Sequence, residues 1–152
     1  MATPDDMRAY VMTALDELRR GVSVPFVIID QAGDRVIGST RFANIEPTHH
    51  RLEIGWTWIA PAYQQTAVNT EAKLLLLTRA FETLHANRVE LKTDALNSQS
   101  RAAILRIGAI EEGTFRNHMI TYSGRVRDTV YFSIIDTQWP AIKSRLHARL
   151  GL

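Results

Sequence analysis

Residues 51–59, Arg-Leu-Glu-Ile-Gly-Trp-Thr-Trp-Ile, alternate apolar and polar side chains, and Pro61 follows almost at once. A period of two places Leu52, Ile54, Trp56 and Trp58 on one face of a strand, and a proline without an N–H ends its ladder. After a short loop the spacing becomes helical. Val68, Ala72, Leu75, Leu76, Arg79 and Leu84 fall on one side of a helix predicted from about Asn69 to His85. Val89, Leu91 and Thr93 then return to a period of two. Such a strand–helix–strand unit joins parallel neighbours through a crossover, so the fold must contain a parallel pair.

The flanks complete the pattern. Thr3 can cap a first helix with Pro4 at its first position and Asp5 and Asp6 at the positive end of its dipole. Met7, Tyr10, Val11, Ala14, Leu15 and Leu18 form its apolar face, and Gly21 stops it. Strands follow at Val24–Ile29 and Val36–Phe42, around the turn Gln31-Ala32-Gly33-Asp34. Asn97 precedes a helix over Ser98–Ile107 closed by Gly108, and strands at Gly113–Thr121 and Asp128–Ile135 flank a turn at Tyr122-Ser123-Gly124-Arg125. Trp139, Ile142, Leu146 and Leu150 mark a last helix with Pro140 near its start. The order predicts an α/β (α+β) fold, a mixed central sheet with helices on both faces. No repeat or Pro/Gly/Ser linker divides residues 1–152, which read as a single domain.

Composition narrows the chemistry. The chain has no cysteine, which excludes disulfides, thiolate nucleophiles and Cys-based zinc sites. His49 and His50 are adjacent, while His85, His118 and His147 stand alone, so no metal-binding spacing is present. A net charge of +2 without a basic stripe argues against nucleic acid as partner. The apolar runs are too short to cross a bilayer, and the N-terminus has no secretory pattern, so a cytoplasmic location is expected.

The chemistry concentrates in two segments. Residues 61–72, Pro-Ala-Tyr-Gln-Gln-Thr-Ala-Val-Asn-Thr-Glu-Ala, carry the chain from a buried strand into a helix, whose first-turn amides form a ready anion site. In residues 93–109, Asn97 can cap a helix on which Ser100, Ala103, Ile104 and Ile107 share one face.

In this order and at this distance the two segments resemble the GNAT acetyltransferase superfamily. The first is similar to its Q/R-x-x-G-x-G/A phosphate loop, starting at Gln64. The second is similar to its N-x-x-S-x-x-A-x-x-K/R-x-G-F/A segment, with Asn97, Ser100, Ala103, Arg106, Gly108 and Ala109 in register. Glu53-Ile54-Gly55-Trp56 resembles the E-I-G-Y/W strand of the ribosomal-protein serine/alanine N-acetyltransferase branch. Ile104 stands where other branches place an acidic tyrosine, which favours the same branch.

The resemblance implies an acetyl-CoA-dependent N-acetyltransferase, with acetyl-CoA as cosubstrate, no metal, and a peptide N-terminus or small primary amine as acceptor. It implies a sheet that splays between the third and fourth strands to form the cofactor slot. Trp58, Ile59 and Ala60 would pair with the pantetheine arm, and Gln64, Gln65, Thr66, Ala67, Val68, Asn69 and Thr70 would cradle the pyrophosphate. Asn97 would orient cofactor or acceptor, Ser100 would protonate the leaving thiolate, and Glu53 would act as base through water. Arg116, His118 and Tyr131 would line the acceptor side. About a sixth of an α-amine with a pKa near 7.7–8.0 is neutral at pH 7, against roughly 0.04% of a lysine amine, so a weak base serves an N-terminal acceptor.

The chain departs from the family in two respects. Ala67, and also Gln65, replace glycines of the phosphate loop. A positive φ at Ala67 would cost on the order of 1 kcal/mol. The family's first strand and helix also have no counterpart ahead of Thr3, which predicts an exposed edge near Phe26–Ile29 and a homodimer that covers it. These departures keep a second reading open, a degenerate GNAT domain that binds CoA or a partner without turnover. A third reading, a binding module for RNA or the ribosome, has only the arginine count behind it.

Overall fold

The structure is a computed structural model and describes residues 3–152. Helix α1 (Pro4–Arg19) opens on the predicted cap. The Asp6 amide donates to Thr3 Oγ1 at 3.2 Å and the Thr3 amide to Asp6 Oδ2 at 3.0 Å. Its apolar stripe covers the sheet only thinly. Ala14 is buried, whereas Val11, Leu15 and Leu18 remain exposed.

Six strands follow: β1 (Ser23–Asp30), β2 (Arg35–Glu46), β3 (Arg51–Ile59), β4 (Arg88–Asp94), β5 (Ile110–Ile120) and β6 (Val126–Ile135). They form one sheet in the order β1-β2-β3-β4-β6-β5. The β3–β4 pair is parallel and the others are antiparallel, as the crossover through α2 (Val68–Thr78) requires. Strand β1 lies at one edge, where it was expected, and β5 lies at the other. Helices α3 (Ser98–Arg106) and α4 (Trp139–Leu150) complete the chain.

The core lies between the sheet and α2, α3 and α4. Phe42, Leu52, Ile54, Val89, Leu91, Phe132 and Ile134 from the strands meet Leu74, Leu77, Ile104, Ile107, Ile142 and Leu146 from the helices. Burying each such side chain contributes about 1.5–3 kcal/mol. The opposite face of the sheet carries α1, whose Glu17 and Tyr10 hold the buried Arg41 of β2.

Two local expectations fail. Helix α2 buries Lys73, Leu74, Leu76 and Leu77, while Leu75 and Leu84 are exposed. The uninterrupted run Leu74–Leu77 has no unique apolar face, so packing against α4 sets the rotation. The helix also widens into a π-turn over Arg79–Thr83 and ends at His85 with φ +52°. In β3 the alternation breaks, and this break shapes the site.

Candidate active site

Strands β3 and β4 pair only over Arg51–Glu53 and Arg88–Glu90. Beyond that point they separate, and a cleft of about 840 Å3 opens between Ile54–Ile59 on one side and Leu91–Thr93 on the other. The separation has a local cause. Ser39 faces Trp58 and Arg41 faces Gly55, so Trp56 and Thr57 oppose the single residue Thr40. Trp56 takes φ +51°, and this bulge inverts the alternation. Leu52 and Ile54 face the helical core, Trp56 turns to the opposite face beside Arg41 and Lys92, and Thr57 meets α2. Trp56 is 48% exposed and does not continue the core stripe.

The loop after Pro61 closes one end of the cleft. Gln64, Gln65, Thr66, Asn69 and Thr70 line it. Ala67 and Val68 do not. Ala67 has φ −66°, in the right-handed region, so its methyl group causes none of the expected strain. The left-handed residue is Gln65, at φ +60°. The Thr66 hydroxyl accepts from the Val68 amide at 3.3 Å, leaving the Asn69 and Thr70 amides without a helical acceptor. Gln64 Nε2 donates to the Ile59 carbonyl at 2.9 Å and anchors the loop to β3. The expected role of Ala60 does not hold, because its amide donates to the Ile37 carbonyl at 2.7 Å and is turned to β2, away from the cleft.

Helix α3 forms the far wall. The Asn97 side chain accepts from the Ser100 amide at 2.9 Å, so its oxygen serves as the helix cap. Asn97 and Ser100 both line the cleft. Ile104 packs into the core and leaves no acidic tyrosine in this wall.

The charge of the cleft is one-sided. Lys73, Lys92, Arg106 and Arg127 line it, and no Asp or Glu does. The buried Trp58 Nε1 and Arg127 Nε have no hydrogen-bond partner among the described residues. Lys73 is 5% exposed, and its ammonium donates to Thr57 Oγ1 at 2.7 Å. Burial without a counter-ion pushes its pKa down to about 7.

On the opposite face of the sheet, Glu53 is 2% exposed. Its Oε2 accepts from Asn44 Nδ2 at 2.7 Å and pairs with Lys92 Nζ at 2.9 Å. Glu53 is therefore a buried, paired carboxylate and does not itself line the cleft. Gly55 leaves room for its other oxygen, since a Cβ there would lie 2.8 Å from Glu53 Oε1. The Lys92 ammonium sits 5.8 Å from the ring centres of both Trp56 and Tyr131.

A second cavity of about 540 Å3 opens on this face, lined by Asn44, Glu46, Arg51, Glu90, Phe115 and Tyr131 among others. Tyr131 meets Phe115 in a tilted contact at 4.8 Å and His118 edge-on at 5.7 Å. His118 and Arg116 lie on the exposed β5 and do not line the cavity, and Arg116 has no hydrogen bond or ion pair among the described residues. Arg88 also borders the cavity and grips Glu112 with two hydrogen bonds, holding its carboxyl down at about 2. Sequence reasoning missed Lys73, Lys92 and Asn44. A lysine within the apolar run of α2 was the available signal for the first.

Comparison with known proteins places this geometry. Residues 1–110 match the family described as "Acetyltransferase (GNAT) domain". A Bacillus subtilis protein provisionally named as a ribosomal N-acetyltransferase is 35% identical over 70% of this chain, and the match spans 57% of that protein's length. The Escherichia coli ribosomal-protein-serine acetyltransferase is 28% identical over 88% of this chain and 73% of its own. The crystal structure of a GCN5-related N-acetyltransferase from Brucella melitensis superposes with a TM-score of 0.89 at 33% identity, covering 97% of this chain and 65% of that one. With a parallel pair splayed by a bulge, a cationic cleft at a helix N-terminus, and a family match over most of its length, the chain belongs to the GNAT acetyltransferase family.

Proposed function

We propose that the chain transfers an acetyl group from acetyl-CoA to a primary amine at the β3–β4 cleft, and that the acceptor is the N-terminus of a cytosolic protein. The observation that carries this reading is the cleft lining, where Arg106 and Arg127 stand with no Asp or Glu beside the free first-turn amides of α2. Such a lining suits a phosphate-bearing ligand. Trp58 Nε1 and Arg127 Nε supply donors that the protein leaves unused.

The residues fit the cosubstrate. Gln65, Thr66, Asn69 and Thr70 would hold its phosphates, Trp58 and Ile59 its arm, and Asn97 and Ser100 would flank its reactive end. When bound, it supplies an acyl thioester that the acceptor nitrogen attacks directly. The chain's own residues manage the protons. Glu53 lies behind the cleft and takes up the acceptor proton through water at Oε1, the oxygen that Asn44 and Lys92 do not engage. Lys92, held between Trp56 and Tyr131, pairs with Glu53 at the border between cleft and second cavity. Phe115 and Tyr131 give that cavity an apolar wall for the acceptor's first residue.

The branch relatives support a protein acceptor, because the Escherichia coli relative is named for a ribosomal protein. The right-handed φ of Ala67 removes one of the grounds for a degenerate domain. Thermal unfolding with acetyl-CoA tests the cleft assignment. A free concentration of about 100 times Kd should stabilise by roughly 2.7 kcal/mol. That corresponds to a Tm rise of about 5–10 °C for a domain of this size. No shift at millimolar acetyl-CoA would refute it.

A further inference from the structure

Lys73 is a buried ammonium that nothing in the acetyl-transfer account has used. It stands on the second turn of α2, inside the cleft, and its partner is the hydroxyl of Thr57. Thr57 Oγ1 lies 2.9 Å from Thr40 Oγ1, which in turn donates to the Gly55 carbonyl at 3.3 Å. The bulge at Trp56 turns Thr57 toward α2, and Thr57 itself remains exposed on the cleft side. The ionisable groups that share the cleft are Lys92 on β4, Arg106 on α3 and Arg127 on β6, with Thr40 on β2 the polar neighbour behind. All three are cations, so no carboxylate holds the Lys73 proton in place.

We propose that Lys73, acting through the Thr57 hydroxyl, delivers the proton that the departing sulfur takes up during acetyl transfer. The inference rests on the acetyl-transfer reading above. The acceptor nitrogen forms a bond to the acyl carbon and the C–S bond breaks. Sulfur keeps that electron pair and takes a proton from Thr57, which is resupplied by the Lys73 ammonium. Lys73, left neutral, regains a proton from solvent, while Glu53 takes up the one lost by the acceptor.

Acidity favours this donor over Ser100. A thiol has a pKa near 8.5, so an ammonium near 7 gives its proton downhill, whereas a serine hydroxyl can only relay one. Ile104 fills the position of the tyrosine acid in other branches, so this wall of the cleft holds no other acid. Ser100 then serves to position the reactive end.

Two readouts test the proposal. In the unliganded protein, trace labelling with an amine-reactive reagent across pH, read by peptide mass spectrometry, should show Lys73 titrating near 7. Titration with the ordinary lysines near 10.4 would overturn it. In turnover with acetyl-CoA and a Ser- or Ala-terminal peptide, wild-type kcat should rise as the acceptor amine deprotonates and fall as Lys73 does. Lys73→Met should lower kcat roughly 100-fold, leave KM for acetyl-CoA nearly unchanged, and lose the descending limb. Lys73→Arg, which keeps the charge but holds its proton, should not restore kcat. Recovery by arginine, a rise in KM alone, or acetyl-Lys73 in the mass spectrum would each overturn proton delivery. A thermal shift with CoA run on the same samples separates the failures. A shift with an unchanged kcat profile sinks the Lys73 role alone, and no shift sinks the cleft assignment with it.

Discussion

Replacing Lys73 by methionine should stabilise the protein, although it removes a hydrogen bond. The folded-state pKa is lowered to about 7 from an ordinary 10.5, and the cause is burial. Between these values the unfolded chain binds more protons than the folded one, so wild-type stability rises with pH from about 7 to 10.5. Below pH 7 both states are protonated and the full cost of the buried charge is present. A shift of this size corresponds to an upper limit of about 4 kcal/mol at pH 7 and about 2 kcal/mol at pH 9. Loss of the Thr57 hydrogen bond returns about 1 kcal/mol. Lys73→Met should therefore gain on the order of 2–3 kcal/mol at pH 7, a Tm rise of roughly 5–10 °C, and almost nothing near pH 10.5. Urea unfolding of both proteins across that range measures the difference directly. A variant less stable than wild type at pH 7, or equally stabilised at pH 7 and pH 10.5, would refute the argument. A residue that costs stability inside the proposed acyl-transfer cleft is the expected mark of a functional site.

Gln65→Gly should stabilise by about 0.5–1 kcal/mol by relieving φ +60°, while Ala67→Gly, at φ −66°, should give no gain in stability or CoA affinity. Gly55→Ala places a methyl group 2.8 Å from Glu53 Oε1, and should lower kcat about tenfold or more with little change in CoA binding. Glu53→Gln should slow turnover most at low pH, where the acceptor is protonated, and least near pH 9; a uniform loss would point to a packing role. Glu112, held at about 2 by Arg88 and Ser133, contributes stability that is complete above its ordinary range near 4.5 and lost as pH falls toward 2. Arg88→Met should thus flatten the acid unfolding curve in that window.

How far the sequence reveals the fold is clear from β3 and α2. The crossover between Ile59 and Arg88, the caps at Thr3 and Asn97 and the order of elements along the chain all rest on local chemistry, and all are legible. The bulge is not, because it depends on how β2 pairs with β3. Without it, Trp56 counts as core and Thr57 as solvent-facing, which reverses their faces. The loop motif points to strain at Ala67, whereas the turn places the left-handed residue at Gln65. Glu53 stands out by its motif, yet its partners Asn44 and Lys92 come from other strands that only the assembled sheet brings together. Tyr131 lines the second cavity, whereas Arg116 and His118 follow β5 out to its exposed edge.

The central claim is that this cleft passes an acetyl group to an N-terminal amine. Its most direct measurement is CoA thiol release from acetyl-CoA with a peptide bearing a free Ser or Ala N-terminus, compared with the same peptide blocked at that amine and carrying a free lysine. The account predicts steady release with the free N-terminus and release near background with the blocked one. Equal release from both peptides, or none from either while CoA still raises the Tm, would contradict it.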